Sequence, residues 1–368
     1  MVKMKILLIG EYSGLHYNLA QGLRTLGHQV TLASDGDGWK NFPRDIDLLW
    51  RRKGRKRDII LKLSKALPQF RGYDVVQLIN PIFLDLKAIH NLRIFRYLQK
   101  HNRAVFLGAN GDDYVYINHA VNKGFSTSVF NVEKITKTAG IQAHIATKLS
   151  SDYRRLNEEI ASSCKGISAC CTEYHMAYAE EYAHKLRFIP LPIVSKDYPF
   201  INSLTTQGPL KFFLGIQEKR QVIKGMDVIY EALQELRKRY PHDVDLQIAK
   251  NVPFDQYQSM MDASHILCDQ LYSYGCGMNG AMAMTKGLIV AGGGEEEMYA
   301  VFGEAEKRPI INLPDSKEGI LKTLELLLEK RAQLPQMAQE SRDFALQYHD
   351  YLKVAQRYLD FWQAQDLA

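Results

Sequence analysis

Residues 6–9, Ile-Leu-Leu-Ile, form a continuous apolar run of the kind a strand buried on both faces requires. A turn bounded by glycines, residues 10–14 (Gly-Glu-Tyr-Ser-Gly), follows directly. Leu15, Leu19, Leu23 and Leu26 then recur at helical spacing until Gly27 stops the helix. Residues 28–33, His-Gln-Val-Thr-Leu-Ala, read as a second strand. Strand, helix and strand in this order form a right-handed βαβ unit, so the chain starts as a parallel sheet with helices on its faces. The alternation goes on through strands at 73–79, 104–107, 166–170 and 186–189, with a helix at 86–100. Pro190, Pro192 and the polar stretch 195–209 interrupt it, and residues 205–208 (Thr-Thr-Gln-Gly) read as a linker. A second alternation opens at 211–215. Its first helix carries Val228, Ile229, Ala232, Leu233 and Leu236 on one face, strands are expected at 244–248, 265–268, 288–291 and 309–313, and the chain is helical from Lys317 onward. The expectation is an α/β protein of two doubly wound Rossmann-like domains, which 368 residues accommodate at about 150 residues each.

Composition removes several function classes. No apolar run approaches the ~20 residues of a membrane span, and the N-terminal run is too short for a signal-peptide core and lacks a small-residue cleavage site. A cytoplasmic protein is expected. The five cysteines, Cys164, Cys170, Cys171, Cys268 and Cys276, show neither a CxxC pair nor zinc spacing, so a reduced compartment without a structural metal fits. The formal charge is +6, but residues 51–65 alone carry eight bases and one acid. A single local patch without interleaved aromatic residues argues against nucleic acid as a partner.

Ligands of open parallel sheets bind outside the carboxyl ends of the strands, which singles out four loops. Residues 10–14 lack the G-x-G-x-x-G spacing of dinucleotide binders; they form either a plain tight turn or a place where backbone amides approach a phosphate. Residues 108–113, Gly-Ala-Asn-Gly-Asp-Asp, form either an Asx-rich turn or a pair of carboxylates for sugar hydroxyls. In residues 215–225, Lys219, Arg220 and Lys224 gather beside a helix N-terminus, where cations oppose the helix dipole. A bound polyphosphate offsets that opposition, and a solvated charge run is the alternative. In residues 269–280, Gly275 and Gly277 admit a ligand to the backbone ahead of a helix. The next loop carries Glu295, Glu296 and Glu297, as helix-capping acids or as acceptors for ligand hydroxyls.

At these residues the chain resembles the nucleotide-sugar glycosyltransferases of the GT-B fold, in the large retaining family four, often labelled glycosyl transferases group 1. The resemblance runs over essentially the whole chain and is clearest from Lys211 to Phe361. Gly215 and the pair Lys224 and Gly225 match the family's diphosphate grip, with Ile216 where an arginine is usual, leaving Lys219 or Arg220 to substitute. Residues 341–350 with Val354, Ala355 and Tyr358 look like the family's closing helices, the last of which crosses back onto the first domain. The family's two glutamates, with seven residues between them, align with Tyr274 and Met282. A thioether is a poor acceptor, and losing a charged acceptor to a ribose diol costs about 1.5 to 3 kcal/mol. Asn110 stands where many relatives carry histidine, while Gly111 and Asp113 remain.

The resemblance implies an N-terminal acceptor domain, 1–200, with 350–368 packing back on it, and a C-terminal donor domain, 210–349. It implies transfer of a sugar from a nucleoside diphosphate sugar, such as a UDP- or GDP-sugar, to a glycan or lipid-linked acceptor with retained configuration and no metal. Lys224 and Arg220 would stabilise the departing diphosphate, assisted by Gly215, Lys219 and Gly225. Tyr274, Gly275, Cys276, Gly277, Met278 and Asn279 would line the sugar site, with Glu295 or Glu297 on hydroxyls. Gly14, His16, Asn110 and Asp113 would face the transferred sugar. Residues 51–67, with Ile59, Ile60, Leu63 and Leu67 at helical spacing, would either dock on an anionic membrane surface, as such patches do in several GT-B enzymes, or pack as a solvated amphipathic helix. A non-catalytic binding protein of the same fold, or a nucleotide-sugar epimerase, are the alternatives; a dehydrogenase is the weakest.

Overall fold

The structure, a computed structural model, describes residues 3–50, 55–201, 208–218 and 220–366. The linker expected at 205–208 therefore lies almost wholly outside the described residues. These residues form two compact units. The first comprises the chain up to Lys123, then Ala139 to Val194 and everything from Tyr351; the second comprises Gly124–Thr138 and Ser195–Asp350. The sequence reading placed the whole of 1–200 in the first. The differences are residues 195–200 and residues 124–138, the latter with polar and apolar contacts in the second unit that are described below.

In the first unit, seven strands form one sheet: β1 Lys5–Ile9, β2 Gln29–Ser34, β3 Ile46–Asp47, β4 Val75–Leu78, β5 Ala104–Ala109, β6 Ile167–Ala169 and β7 Leu186–Phe188, in the order β3-β2-β1-β4-β5-β6-β7. Every pairing is parallel, with Leu7 opposite both Thr31 and Val76. In β1, Ile6 to Ile9 are all fully buried, as the apolar run requires. The helix Leu15–Thr25 buries Leu15, Leu19 and Leu23 against the sheet. The two-residue β3 escaped the sequence reading because an edge pairing of that length leaves no hydrophobic period.

The last helix, Tyr351–Asp366, packs on the first unit through Val354, Ala355, Tyr358, Leu359 and Trp362. Trp362 donates its indole N–H to Gln77 Oε1 in β4 at 3.1 Å, satisfying two polar groups that would otherwise be buried alone.

The second unit holds five strands: β8 Leu210–Ile216, β9 Val244–Lys250, β10 Ile266–Cys268, β11 Ile289–Gly292 and β12 Ile310–Asn312, ordered β12-β11-β10-β8-β9 and again all parallel. Its core joins Phe212 and Leu214 of β8 to Ile229, Ala232, Leu233 and Leu236 of the helix Met226–Arg239, with Val228 at the margin. Each sheet reverses its winding direction once, between β1 and β4 and between β8 and β10. Those two crevices are where the carboxyl ends of open parallel sheets receive ligands.

Candidate functional site

Both crevices are opened by the same local device. Gly14 caps the helix that follows β1 and Gly225 the helix that follows β8, with φ of 87° and 70°, a left-handed conformation that a side chain would strain. Each glycine lets the loop after its strand turn into the helix, whose N-terminus follows the carboxyl end of that strand.

In the second unit, Leu271 after β10 donates its N–H to the carbonyl of Lys224 at 3.0 Å, tying together the two loops that flank the β8/β10 crevice. Lys224 is half-buried and Arg220 exposed, and neither side chain has an ion-pair partner among the described residues. Lys219 lies outside the described residues. Gly215 has a packing role: a Cβ there would fall 2.7 Å from the Tyr257 ring. Tyr257 in turn donates to Asn279 Oδ1 at 3.0 Å, which fixes that side chain in the first turn of the helix Met278–Thr285. Gly277 caps this helix, and a Cβ there would meet open space, so the backbone is accessible. Met278 is half-buried. Gly275 instead makes room for the Met298 thioether, and Cys276 lies with its Sγ 3.9 Å from Met284 Sδ, its thiol pushed well up by burial.

The two positions aligned with the family glutamates are turned to internal contacts. Met282 is 7 % exposed, and its sulfur accepts from Gln258 Nε2 at 3.3 Å. Tyr274 is buried; its backbone carbonyl accepts from Glu295 N–H at 2.9 Å and its hydroxyl from Ser126 N–H at 2.9 Å. The following carboxylates are partnered too. Thr127 Oγ1 donates to Glu295 Oε1 and Ser126 Oγ to Glu297 Oε1, each at 3.3 Å.

In the first unit, Glu11, His16, Asn80, Asn110 and Thr172 follow the carboxyl ends of β1, β4, β5 and β6. His16 is fully buried. Its Nδ1 lies 2.9 Å from the carbonyl oxygen of Gly10, which can only accept, so Nδ1 carries the proton and Nε2 presents a bare lone pair. Burial pushes its pKa down to about 3, so the ring is neutral. Nε2, both amide atoms of Asn110 and the Thr172 hydroxyl are buried without a hydrogen-bond partner among the described residues. Asn80 donates to the Gly111 carbonyl at 3.0 Å, joining the loops after β4 and β5. Unsatisfied buried polar groups are rare and call for a reason. Here they comprise neutral donors and acceptors, the set that suits a hydroxylated ligand.

Asp113 is differently employed from the sequence reading. One oxygen caps the helix Tyr114–Asn122 by accepting from Tyr116 N–H at 2.9 Å, and the other accepts from the Tyr178 hydroxyl at 2.7 Å. Burial raises its pKa to about 6. Both of its oxygens are thus engaged by internal donors at the start of that helix. Sequence reasoning missed Thr172 and left Glu11 unassigned; nothing in a lone Thr after a strand marks it, whereas Glu11 sat within a loop already singled out.

Among the described residues no group of three His, Cys, Asp or Glu side chains could hold a metal ion, and no helix is long and apolar enough to cross a membrane.

Two parallel Rossmann-like units with a C-terminal helix returning to the first define the GT-B fold of glycosyltransferases. Solved structures of that class match nearly the full chain. Sucrose-phosphate synthase from Thermosynechococcus elongatus superposes with a TM-score of 0.62 at 11% identity, over 98% of this chain and 99% of that one. HepE from Anabaena, in complex with UDP-glucose, gives 0.62 at 13% identity over 98% and 100%. WaaG, a glycosyltransferase involved in lipopolysaccharide biosynthesis, gives 0.58 at 16% identity over 97% and 99%. No protein-family model matches the chain, and no curated protein sequence does.

Proposed function

We propose that this protein is a glycosyltransferase that moves a sugar from a nucleoside diphosphate sugar to a glycan or lipid-linked acceptor, with retained anomeric configuration, in cell-surface polysaccharide or lipopolysaccharide synthesis. The observation that carries the reading is the pair of cations, Lys224 and Arg220, which have no ion-pair partner among the described residues and lie on the loop that opens a helix at the β8/β10 crevice. Two cations beside a helix N-terminus oppose its dipole, and the acidic side chain of the first turn, Asp227, is engaged by Lys134 instead. A diphosphate there is met by both side chains and by the N-terminal end of the dipole of the helix Met226–Arg239. The same groups stabilise the charge that develops on the departing nucleoside diphosphate, a role that needs no metal. Gly277 and Asn279 border the sugar, and Glu295 and Glu297 offer carboxylates to its hydroxyls or the ribose. In the first unit, the neutral orphan groups of His16, Asn110 and Thr172 bind a hydroxylated moiety. The fold likeness, and HepE bound to UDP-glucose, support the donor class. We place the protein in the cytoplasm, on the inner membrane face through residues 51–67.

Thermal denaturation with UDP, GDP and ADP, alone and as sugar conjugates, tests the donor site. A ligand at a hundred times its dissociation constant adds about 2.7 kcal/mol, which raises the melting temperature by several degrees. Lys224→Ala should abolish that shift and lower turnover by about a hundredfold. Absence of a shift with every nucleotide overturns the transferase reading. It favours the second one, a non-catalytic protein of the same fold, for which the internal engagement of Tyr274 and Met282 speaks.

A further inference from the structure

Residues 124–138 lie in sequence between two helices of the first unit, Tyr114–Asn122 and Ala139–Lys148, yet belong to the second. Apolar anchors hold both ends. Phe125 is 6 % exposed and meets the Tyr274 ring edge-on at 6.0 Å between centroids, and Ile135 is 2 % exposed. Lys134 Nζ pairs with Asp227 Oδ2 at 3.1 Å, in the first turn of the helix that Gly225 opens. Between these anchors, Ser126 contacts Tyr274 and Glu297, and Thr127 contacts Glu295. The segment thus lies on the residues that border the donor site on one side and beside the diphosphate loop on the other.

The chemistry of these contacts is that of a substitute ligand. Ser126 and Thr127 present hydroxyl donors to the two carboxylates, as a sugar or ribose does. At 3.3 Å, both hydroxyl–carboxylate bonds are well beyond the 2.5–2.7 Å usual for such pairs and correspondingly weak. The Lys134–Asp227 pair is half-exposed on the lysine side and screened by solvent. The two hydroxyl–carboxylate contacts are of a kind that a better-placed ligand hydroxyl can displace.

We infer that residues 124–138 form an intramolecular strap that occupies the donor loop of the second unit and competes with the nucleotide sugar for Glu295, Glu297 and Tyr274. The inference rests on the donor site proposed above and adds its regulation: binding requires release of the strap, and anything that draws residues 124–138 away increases donor affinity.

Titration calorimetry with UDP-, GDP- and ADP-glucose separates the possibilities, on the full chain and on two variants, Ser126→Ala/Thr127→Ala and Lys134→Glu. Both variants should bind the preferred conjugate about three- to tenfold more tightly than wild type, the range expected for losing a few weak polar contacts. Equal or weaker affinity in both variants overturns the strap while leaving the donor site standing. No binding of any conjugate by any of the three proteins overturns the donor site and the strap together. Limited trypsin digestion gives an independent reading, because the Lys134 and Lys137 side chains are 54% and 73% exposed. Saturating conjugate should accelerate cleavage there. Protection instead means that the ligand clamps the segment, which overturns competition.

Discussion

Glu11 is 2 % exposed, and its two oxygens accept from the backbone N–H groups of His16 and Tyr17 at 3.3 and 2.7 Å. It therefore caps the first helix from within the loop, an arrangement the dipole favours, yet burial dominates and raises its pKa to about 7. A carboxyl that keeps its proton to higher pH when folded binds more protons than the unfolded chain between about pH 4.5 and 7. Its contribution is thus intact in acid and is lost as pH rises through that window. The loss amounts to about 2 to 3 kcal/mol. Glu11→Gln removes this titration while Asp113, raised to about 6 by burial, titrates in both proteins and cancels. Urea unfolding at pH 4.5 and pH 8 should show the variant gaining about that much stability relative to wild type at the higher pH. A constant difference would mean that Glu11 has the same acidity folded and unfolded.

At the scale of elements, the helix Arg55–Ala66 shows how one basic segment divides its faces. Ala66 is buried and Ile59 and Leu63 are half-buried, while Lys62 reaches Asp47 at 2.8 Å. Ile60 and Leu61 remain 66% and 60% exposed beside Arg57 and Lys65. Two large apolar side chains held in water among cations form the pattern of an interfacial helix. Pelleting with vesicles containing phosphatidylglycerol should capture the protein, with about tenfold less bound for Ile60→Asp/Leu61→Asp. Capture that ignores the anionic lipid removes the membrane reading. The sequence reading assigned Ile60 to the same face as Ile59 and Leu63, whereas the helix turns it outward.

The strands were more legible: β1, β5, β8 and β11 are apolar runs whose burial on both faces is written in the residues themselves. The strap was not. Ser126 and Tyr274 are 148 positions apart, and no local period encodes a contact between two hydroxyls at that separation. Nor could spacing show that Asp113 caps a helix or that Gly215 yields space to a tyrosine ring, since both depend on what packs opposite.

For the molecule as a whole, the chain passes between its two units four times, at 123/124, 138/139, 194/195 and 350/351. The last passage delivers the helix Tyr351–Asp366 to the first unit, where its fit with the helix Leu15–Thr25 decides whether the C-terminus docks. The contact hinges on Gly22. A Cβ at that position would lie 2.4 Å from the Tyr351 carbonyl oxygen and 2.8 Å from Ala355 Cβ, so the helices approach as closely as a glycine allows. Helix propensity alone favours Gly22→Ala by about 1 kcal/mol. Close packing opposes it, because the obstructing atoms include backbone and cannot rotate aside; overpacking of this kind costs about 1 to 3 kcal/mol. Packing should win, so Gly22→Ala lowers stability in urea by up to about 2 kcal/mol net. Ala355→Gly, added to the variant, removes one of the two obstructing groups but should restore little or none of that loss, since the carbonyl oxygen stays in place and the new glycine costs about 1 kcal/mol of helix propensity. If Gly22→Ala stabilises the protein, the two helices have room to separate, and the C-terminal helix is held by Trp362 and its neighbours rather than by this crossing.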